Sequence, residues 1–174
     1  ATTTHYDKEV AAETYPRASI VRYQFPARGM MPPVSLTWYD GRLLPPVPKD
    51  FDPRQRFNDN GAIYLGEKGA IMHNSHGASD LRLLPKSLSR EYKQPRQTLP
   101  RVKDGMQGHE RDWVRACKGG ALGVSEFGVA AKYIEWLALG AIALQVPGKL
   151  MWDGAKMRFT NNEAANKLLR PFIR

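Results

Sequence analysis

The chain has 174 residues, of which 42% are apolar, and a formal net charge of +9. Its apolar content supports a hydrophobic core and excludes global disorder, and its length predicts a single domain over residues 1–174. The longest apolar-rich run, residues 129–146, is broken by Lys132, Glu135 and Gln145. Because a membrane span needs about 20 apolar residues with few charges, we expect no transmembrane helix and no membrane partner.

The positive charge is spread along the chain and thickens only over residues 86–103, where Tyr92 is the one aromatic residue. Surfaces that bind single-stranded nucleic acids combine cations with aromatic stacking platforms, so this pattern favours a solvated surface over a nucleic-acid partner. Net charge alone keeps a nucleic-acid binder as the weakest alternative.

The single cysteine, Cys117, excludes an internal disulfide and a multi-cysteine zinc site. Its place on a predicted amphipathic helix indicates a small buried apolar residue. The sequence begins at Ala1 with neither an initiator Met nor a leader pattern, which indicates a processed or cut end and leaves the cellular location open.

Residues 18–25 and 34–40 carry the strongest strand pattern in the chain. The first run alternates Val21, Tyr23 and Phe25 with Ile20, Arg22 and Gln24, and the second alternates Val34, Leu36 and Trp38 with Ser35, Thr37 and Tyr39. Alternation of this kind gives a strand one drier and one wetter face. We therefore expect two neighbouring strands of one sheet, joined by an extended loop and closed by the turn Asp40-Gly41.

Further strand patterns follow after a long interruption. Residues 42–60 contain four prolines and show no period, so they predict a long loop. Residues 62–65 and 70–73 form the best hairpin pattern, around the four-residue turn 66–69, and residues 81–84 predict another strand.

The last third of the chain has the periodicity of helices. Residues 109–118 predict a helix ended by Gly119-Gly120, and a longer helix is expected from Ser125, as its N-cap, to about Gln145. A short strand near Trp152 and a helix over residues 162–169 follow. This order predicts an α+β fold, in which helices cover one face of an open, mostly antiparallel sheet of five or six strands.

The residues offer little self-contained chemistry. The pair His73-x-x-His76 has no carboxylate or thiolate at ligand spacing, so a solvated turn is expected there rather than a metal. No serine stands in a G-x-S-x-G pattern, and the glycine clusters match neither a Walker loop nor G-x-G-x-x-G. We predict no catalytic, cofactor-binding or metal-binding residue in this chain.

Five segments stand out along the chain. They are, in order, PRASIVRYQFPARG, PPVSLTWYDG, DNGAIYLGEKG, HERDWVRACKGG and WDGAKMRFTNNEAANKLLR. Together they resemble the C-terminal domain of the Gfo/Idh/MocA family of oxidoreductases. The likeness covers about residues 13–170 and is nearest to bacterial sugar-type dehydrogenases. It implies the fold of that domain, which is similar to the C-terminal domain of glyceraldehyde-3-phosphate dehydrogenase.

The resemblance implies a function shared with a second domain. In the family, an N-terminal Rossmann domain binds NAD or NADP through a Gly-rich turn, and a Glu-Lys-Pro motif supplies a catalytic Lys. Neither motif stands in this sequence, and Glu67-Lys68-Gly69 is a hairpin turn rather than Glu-Lys-Pro. The chain would then be the substrate-binding and oligomerisation domain of an NAD(P)-dependent enzyme acting on a sugar or polyol, inactive by itself. The alternative is a stand-alone carbohydrate-binding or structural module without redox activity.

Two sets of residues are expected to serve that function. Tyr39, Asp40 and Arg42 are the predicted substrate contacts, with residues 42–60 forming a polar rim beside the pocket. Arg22, Gln24 and Tyr39 are predicted to lie on an uncovered sheet face that forms a homo-oligomer. The sequence leaves the substrate, the choice of NAD or NADP and the oligomer size open.

Overall fold

The computed structural model describes residues 1–4, 9, 14–74 and 78–170. Its elements, within those residues, are β1 Thr2–Thr3, β2 Ser19–Phe25, β3 Val34–Asp40, β4 Gly61–Gly66, β5 Gly69–Asn74, β6 Ser79–Leu84, α1 Lys86–Glu91, α2 Gly105–Cys117, α3 Phe127–Ala143, β7 Trp152–Asp153, β8 Arg158–Phe159 and α4 Glu163–Lys167. The α+β class is thereby confirmed. The chain divides into two compact units, the first made of Ala1–Trp38 and Gln97–Arg174, the second of Tyr39–Arg96.

The described strands form three small sheets rather than the expected single sheet of five or six strands. Their orders are β1-β2-β3, β4-β5-β6 and β7-β8, and the pairs β1–β2, β4–β5, β5–β6 and β7–β8 are antiparallel. Long irregular stretches separate these sheets along the chain. The segment 42–60 is rich in proline, which cannot donate to a strand ladder. No helix in the described part of the chain is long and apolar enough to cross a membrane.

In the first unit, β2 lies against α3 through its drier face, as its alternation predicts. Val21 is buried, and the Tyr23 ring meets Trp136 edge-on at 5.0 Å between centroids. A Cβ atom at Gly140 would overlap the Tyr23 hydroxyl, so this glycine permits the close approach of strand and helix. Arg22 and Gln24 are exposed on the opposite face of β2.

The ends of α2 and α3 follow local chemistry. Gly119 adopts φ 83° just after α2 and donates its N–H to the Ala116 carbonyl at 3.0 Å, which confirms the predicted glycine stop. The predicted Ser125 cap is wrong, because Glu126 is the N-cap of α3. Its carboxylate accepts the backbone N–H groups of Gly128 and Val129 at 2.6 and 3.0 Å. A carboxylate satisfies two free amides at the positive end of the helix dipole.

The end of the first unit holds a cluster of three buried residues, Ile142, Phe159 and Ala165, which we call the C-terminal cluster. Its hairpin of β7 and β8 exceeds the prediction, since only one short strand was expected there. Polar side chains stabilise this end of the first unit through hydrogen bonds. Asn162 caps α4 by accepting the Ala165 N–H at 2.9 Å, which confirms that a helix begins there, although α4 ends before the predicted residue 169.

The second unit is built on the predicted hairpin. Tyr64 lies opposite Ile71, and Gly66 lies opposite Gly69, so the turn between the strands is tighter than expected. One sheet face buries Ala70, Met72 and Leu84 under Phe51 and Phe57 of the 42–60 loop. The short helix α1, which follows β6 directly, was not predicted.

Candidate functional site

The predicted substrate contacts lie at the end of β3 in the second unit. Tyr39 is half-buried, whereas Asp40 and Arg42 are exposed. Gly41 and Arg42 follow each other with φ of 69° and 68°. A non-glycine residue seldom takes this left-handed conformation, and such residues concentrate where geometry serves function. None of the three side chains has a hydrogen-bond or ion-pair partner among the described residues, so all three are free to meet a ligand.

The 42–60 loop is more than the polar rim predicted for it. The rings of Phe51 and Phe57 lie 4.8 Å apart and cover the core of the β4–β6 sheet. Asp52 accepts the backbone N–H and the Nε–H of Arg54, both at 3.0 Å. The hydrogen bonds from Arg54 lower the pKa of Asp52 to about 2. The loop therefore has a structural task in the second unit.

The last residues of this loop line an open cavity of about 360 Å³. Its walls are Phe57, Asn58, Asp59 and Asn60, and the three polar side chains have no partner among the described residues. This part of the segment still fits a polar rim, because amide and carboxylate groups bind hydroxyl groups well.

In the same unit, a neighbouring group of polar side chains forms a network of hydrogen bonds among its own members. Arg82 donates to Asp80 and, at 2.8 Å, to the Gln55 amide oxygen, and Asn74 donates to Asp80 at 2.7 Å. These contacts tie the loop to β5 and β6. They explain why the loop keeps its position with little regular structure of its own.

A second open cavity, of about 630 Å³, lies beside α2 in the first unit. Its walls are Glu110, Arg111, Val114, Arg115, Lys118 and Gly120. Arg115 is already engaged, since it donates to the Ala121 carbonyl at 2.7 Å and to Asp112 at 2.6 Å. Arg111 is paired with Asp104 at 2.7 Å. The two arginines therefore offer little free charge to an anionic ligand.

Asp112 holds the loop that follows α2. Its second oxygen accepts the Val124 N–H at 2.7 Å. The hydrogen bond from Arg115, and then that from Val124, lowers the pKa of Asp112. The segment HERDWVRACKGG thus fixes the loop over residues 119–124, and its charged residues have a structural role here.

The described residues hold no group of three His, Cys, Asp or Glu side chains that could bind a metal ion. His73 lies in β5 with its Nδ1 atom buried and without a partner among those residues, and His76 falls outside them. Cys117 is exposed, so the prediction of a buried residue is wrong. The reason is that the apolar side of α2 is uncovered: Trp113 is 57% exposed and Met106 is 75% exposed.

The predicted oligomer face divides between the two units. Arg22 and Gln24 share the exposed face of β2, where Arg22 donates to the Thr2 hydroxyl at 3.4 Å. Trp38 lies 6.5 Å from Trp136 between ring centroids, so Tyr39, next along β3, points to the other side of its strand. Self-association through these residues stays a prediction.

Sequence reasoning missed how much apolar surface is uncovered. Two separate folded units with the total mass of this chain would expose about 10,000 Å², whereas the chain exposes 15142 Å². Large apolar side chains on α2, α3 and the β4–β6 sheet contribute to that area. The high apolar content of residues 127–144, interrupted by charge only at Lys132 and Glu135, was the available signal, because a helix that is apolar over most of its circumference is normally buried.

No protein-family model matches the chain, and no curated protein sequence matches it.

Proposed function

We propose that the chain is the substrate-binding and oligomerisation domain of an NAD(P)-dependent oxidoreductase that acts on a sugar or polyol-like substrate. The observation that carries this proposal is the uncovered apolar surface. Exposed apolar patches of this extent mark surfaces that bind other proteins or domains. A chain with such surfaces works as part of an assembly, as one domain of a larger enzyme does.

The five segments that resemble the Gfo/Idh/MocA family support the assignment. Each contributes to a defined element, in order β2, β3, the hairpin of β4 and β5, helix α2, and the β7–β8 hairpin with α4. We extend the proposal to the C-terminal domain fold of that family, the fold similar to glyceraldehyde-3-phosphate dehydrogenase.

The same proposal assigns separate roles to the two domains of the enzyme. NAD or NADP is bound by a Rossmann domain that also supplies the catalytic Lys, and this chain supplies one wall of the substrate pocket. Asp40 and Arg42 meet substrate hydroxyl groups, with Tyr39 beside them. The polar end of the loop, at Asn58, Asp59 and Asn60, forms the rim.

Binding to the isolated chain tests the substrate part of this proposal. We expect neutral sugars or polyols to shift the amide resonances of residues 39–42 and 58–60 in a nuclear magnetic resonance titration. Arg42→Ala removes a charged hydrogen-bond donor. Because the loss of one such hydrogen bond weakens binding by about tenfold or more, we expect the variant to bind the polyol at least about tenfold more weakly. The exposed Arg158, changed to Ala, serves as the matched control and should leave the affinity unchanged.

Other outcomes redirect or overturn the assignment. Sugar binding centred on the exposed Trp38, and insensitive to Arg42→Ala, would favour the stand-alone carbohydrate-binding module. If no polyol binds, the proposal that this chain forms one wall of the substrate pocket is refuted. Micromolar binding of NAD(H) or NADP(H) to this chain, measured by calorimetry, would overturn the division into domains.

A further inference from the structure

The chain contains four Pro-Arg dipeptides, and the arginine of each is exposed. They are Pro16-Arg17, Pro53-Arg54, Pro95-Arg96 and Pro100-Arg101. A proline fixes its own φ near about −65° and keeps the residue before it extended. Each dipeptide therefore prepares a short stretch of backbone for a partner that binds the chain as an extended strand. The surroundings of each dipeptide decide whether such a partner can reach it.

Hydrogen bonds restrain the first two dipeptides. The peptide bond after the first one donates its N–H, that of the buried Ala18, to the Thr4 hydroxyl at 3.2 Å. Arg54 donates its backbone N–H and its side-chain N–H groups to the Asp52 carboxylate, each at 3.0 Å. The Gln55 N–H donates to the Asp52 carbonyl at 2.9 Å. Neither stretch is free to extend into a partner.

The last two dipeptides lie in a segment without such restraints. Every residue from 91 to 100 is exposed, and residues 92–103 belong to no helix or strand. None of residues 93–103 forms a hydrogen bond or an ion pair with another described residue. The segment leaves α1 through Tyr92, whose φ of −72° and ψ of 119° are extended. A stretch of this length without regular structure is commonly a functional or a linker segment.

Of the two bonds that follow these arginines, Arg96–Gln97 is the more accessible. At least four residues on either side of it are exposed, whereas Val102, next to Arg101, is half-buried. Enzymes that bind a peptide as an added strand need several free residues on both sides of the point of attack. The Arg96–Gln97 bond meets that need.

We propose that Arg96–Gln97 is a processing site for an arginine-specific endoprotease, with the bond after Arg101 as a secondary site. The Arg96 guanidinium has no partner among the described residues, so it is free to enter a pocket that carries a carboxylate. In the cleavage, the hydroxyl of a water molecule goes to the Arg96 carbonyl carbon. The carbon–nitrogen bond breaks, and the remaining hydrogen of the water goes to the Gln97 nitrogen.

The position of this bond gives its cleavage a defined result. The second unit ends at Arg96, and the first unit resumes at Gln97. The bond also lies between the end of α1 at Glu91 and the start of α2 at Gly105. Cleavage therefore interrupts no helix or strand. It leaves the second unit with one chain connection to the first in place of two.

Limited digestion of the folded chain with clostripain, which cleaves after arginine, tests the proposal. We expect the first two products, identified by their intact masses, to end at Arg96 and to begin at Gln97. The circular dichroism spectrum should stay unchanged after this first cut. The rate should also be unchanged in urea too dilute to unfold the chain, because cleavage of an exposed segment needs no global unfolding.

Arg96→Gln removes the recognised cation and keeps a polar side chain of similar length. It should slow cleavage after position 96 by at least about 100-fold, since the carboxylate of the protease pocket is left without its partner. The first cut should then move to Arg101. Arg17→Gln is the matched control, because Arg17 is also exposed and also follows a proline. That variant should be digested at the rate of the wild type.

Several results overturn the proposal. They are a first cut after any arginine other than Arg96, an Arg96→Gln chain cut at the rate of the wild type, and a loss of secondary structure on the first cut. A rate that rises in dilute urea would show that cleavage follows unfolding, which also overturns it. Equal slowing by Arg17→Gln and Arg96→Gln would do the same. Polyol binding is measured separately and does not depend on these results.

Discussion

The C-terminal cluster and the β4–β6 sheet bury their cores by different means. Beside the C-terminal cluster, Asn166 accepts the Phe159 N–H at 2.7 Å and donates to the Phe159 carbonyl at 3.0 Å, and Phe159 is 2% exposed. The β4–β6 sheet relies on strand register, and two phenylalanines of an irregular loop supply its cover. Polar side chains, and not only apolar ones, can therefore stabilise a core. They do so when they form hydrogen bonds with backbone groups that would otherwise be buried without partners.

The largest expected effect comes from removing that asparagine. Asn166→Ala leaves the Phe159 N–H and carbonyl without partners in a partly buried site, which costs about 2–3 kcal/mol of local stability. Hydrogen exchange of the Phe159 and Thr160 amides measures it. Asn166→Asp keeps the acceptor and should lose about half as much, and Asn58→Ala, at an exposed site, should lose nothing measurable. Equal exchange in all variants would show that the cluster is held by packing alone.

A smaller effect is expected in the β4–β6 sheet. Phe57→Ala removes part of the cover over Met72, and a partly buried phenylalanine contributes about 1–2 kcal/mol, less than the 3–5 kcal/mol of a fully buried one. Faster hydrogen exchange in β5, with the amides of β7 and β8 unchanged, would separate the two regions energetically. Phe127→Ala is the control, because Phe127 is 71% exposed. Unchanged exchange in β5 would contradict the loop's role as a cover.

The smallest effect concerns the turn inside the loop. Because hydrogen bonds from Arg54 lower the pKa of Asp52 to about 2 from 3.8, their stabilising contribution is complete above about pH 4 and is lost as the pH falls through 2. Arg54→Ala should return the pKa of Asp52 towards 3.8, whereas Arg56→Ala should not move it. A carboxyl titration followed by nuclear magnetic resonance provides the measurement. An unchanged pKa in Arg54→Ala would show that the contact does not form in solution.

Strand and helix periodicity predicted most of the local elements. The alternation around Val21 and Tyr23, the hairpin closed at Gly66 and Gly69, and the glycine stop at Gly119 are all confirmed. These features depend on neighbouring residues, whose spacing the sequence displays directly. Of the candidate site, the sequence predicted the turn that ends β3 next to Arg42. It did not reveal the left-handed backbone conformation of Arg42 itself.

Long-range arrangements were harder to predict. Phe51 and Phe57 cover the β4–β6 sheet from a segment without a period, and Asn166 reaches back seven residues to Phe159. Such contacts depend on the path of the chain in space. The expected single sheet failed for the same reason, since pairing between distant strands leaves no mark on local periodicity.

The short distance between Tyr23 and Gly140 restricts which substitutions this sequence can accept during evolution. Any side chain at position 140 would overlap the phenol, and the Tyr23 ring carbon next to the hydroxyl would lie 3.1 Å from the new Cβ atom. A side chain at position 140 is therefore tolerated chiefly after a change to a smaller residue at position 23. Relatives that carry alanine or serine at position 140 should carry a smaller residue at position 23, so the two positions should covary although they lie 117 positions apart in the chain.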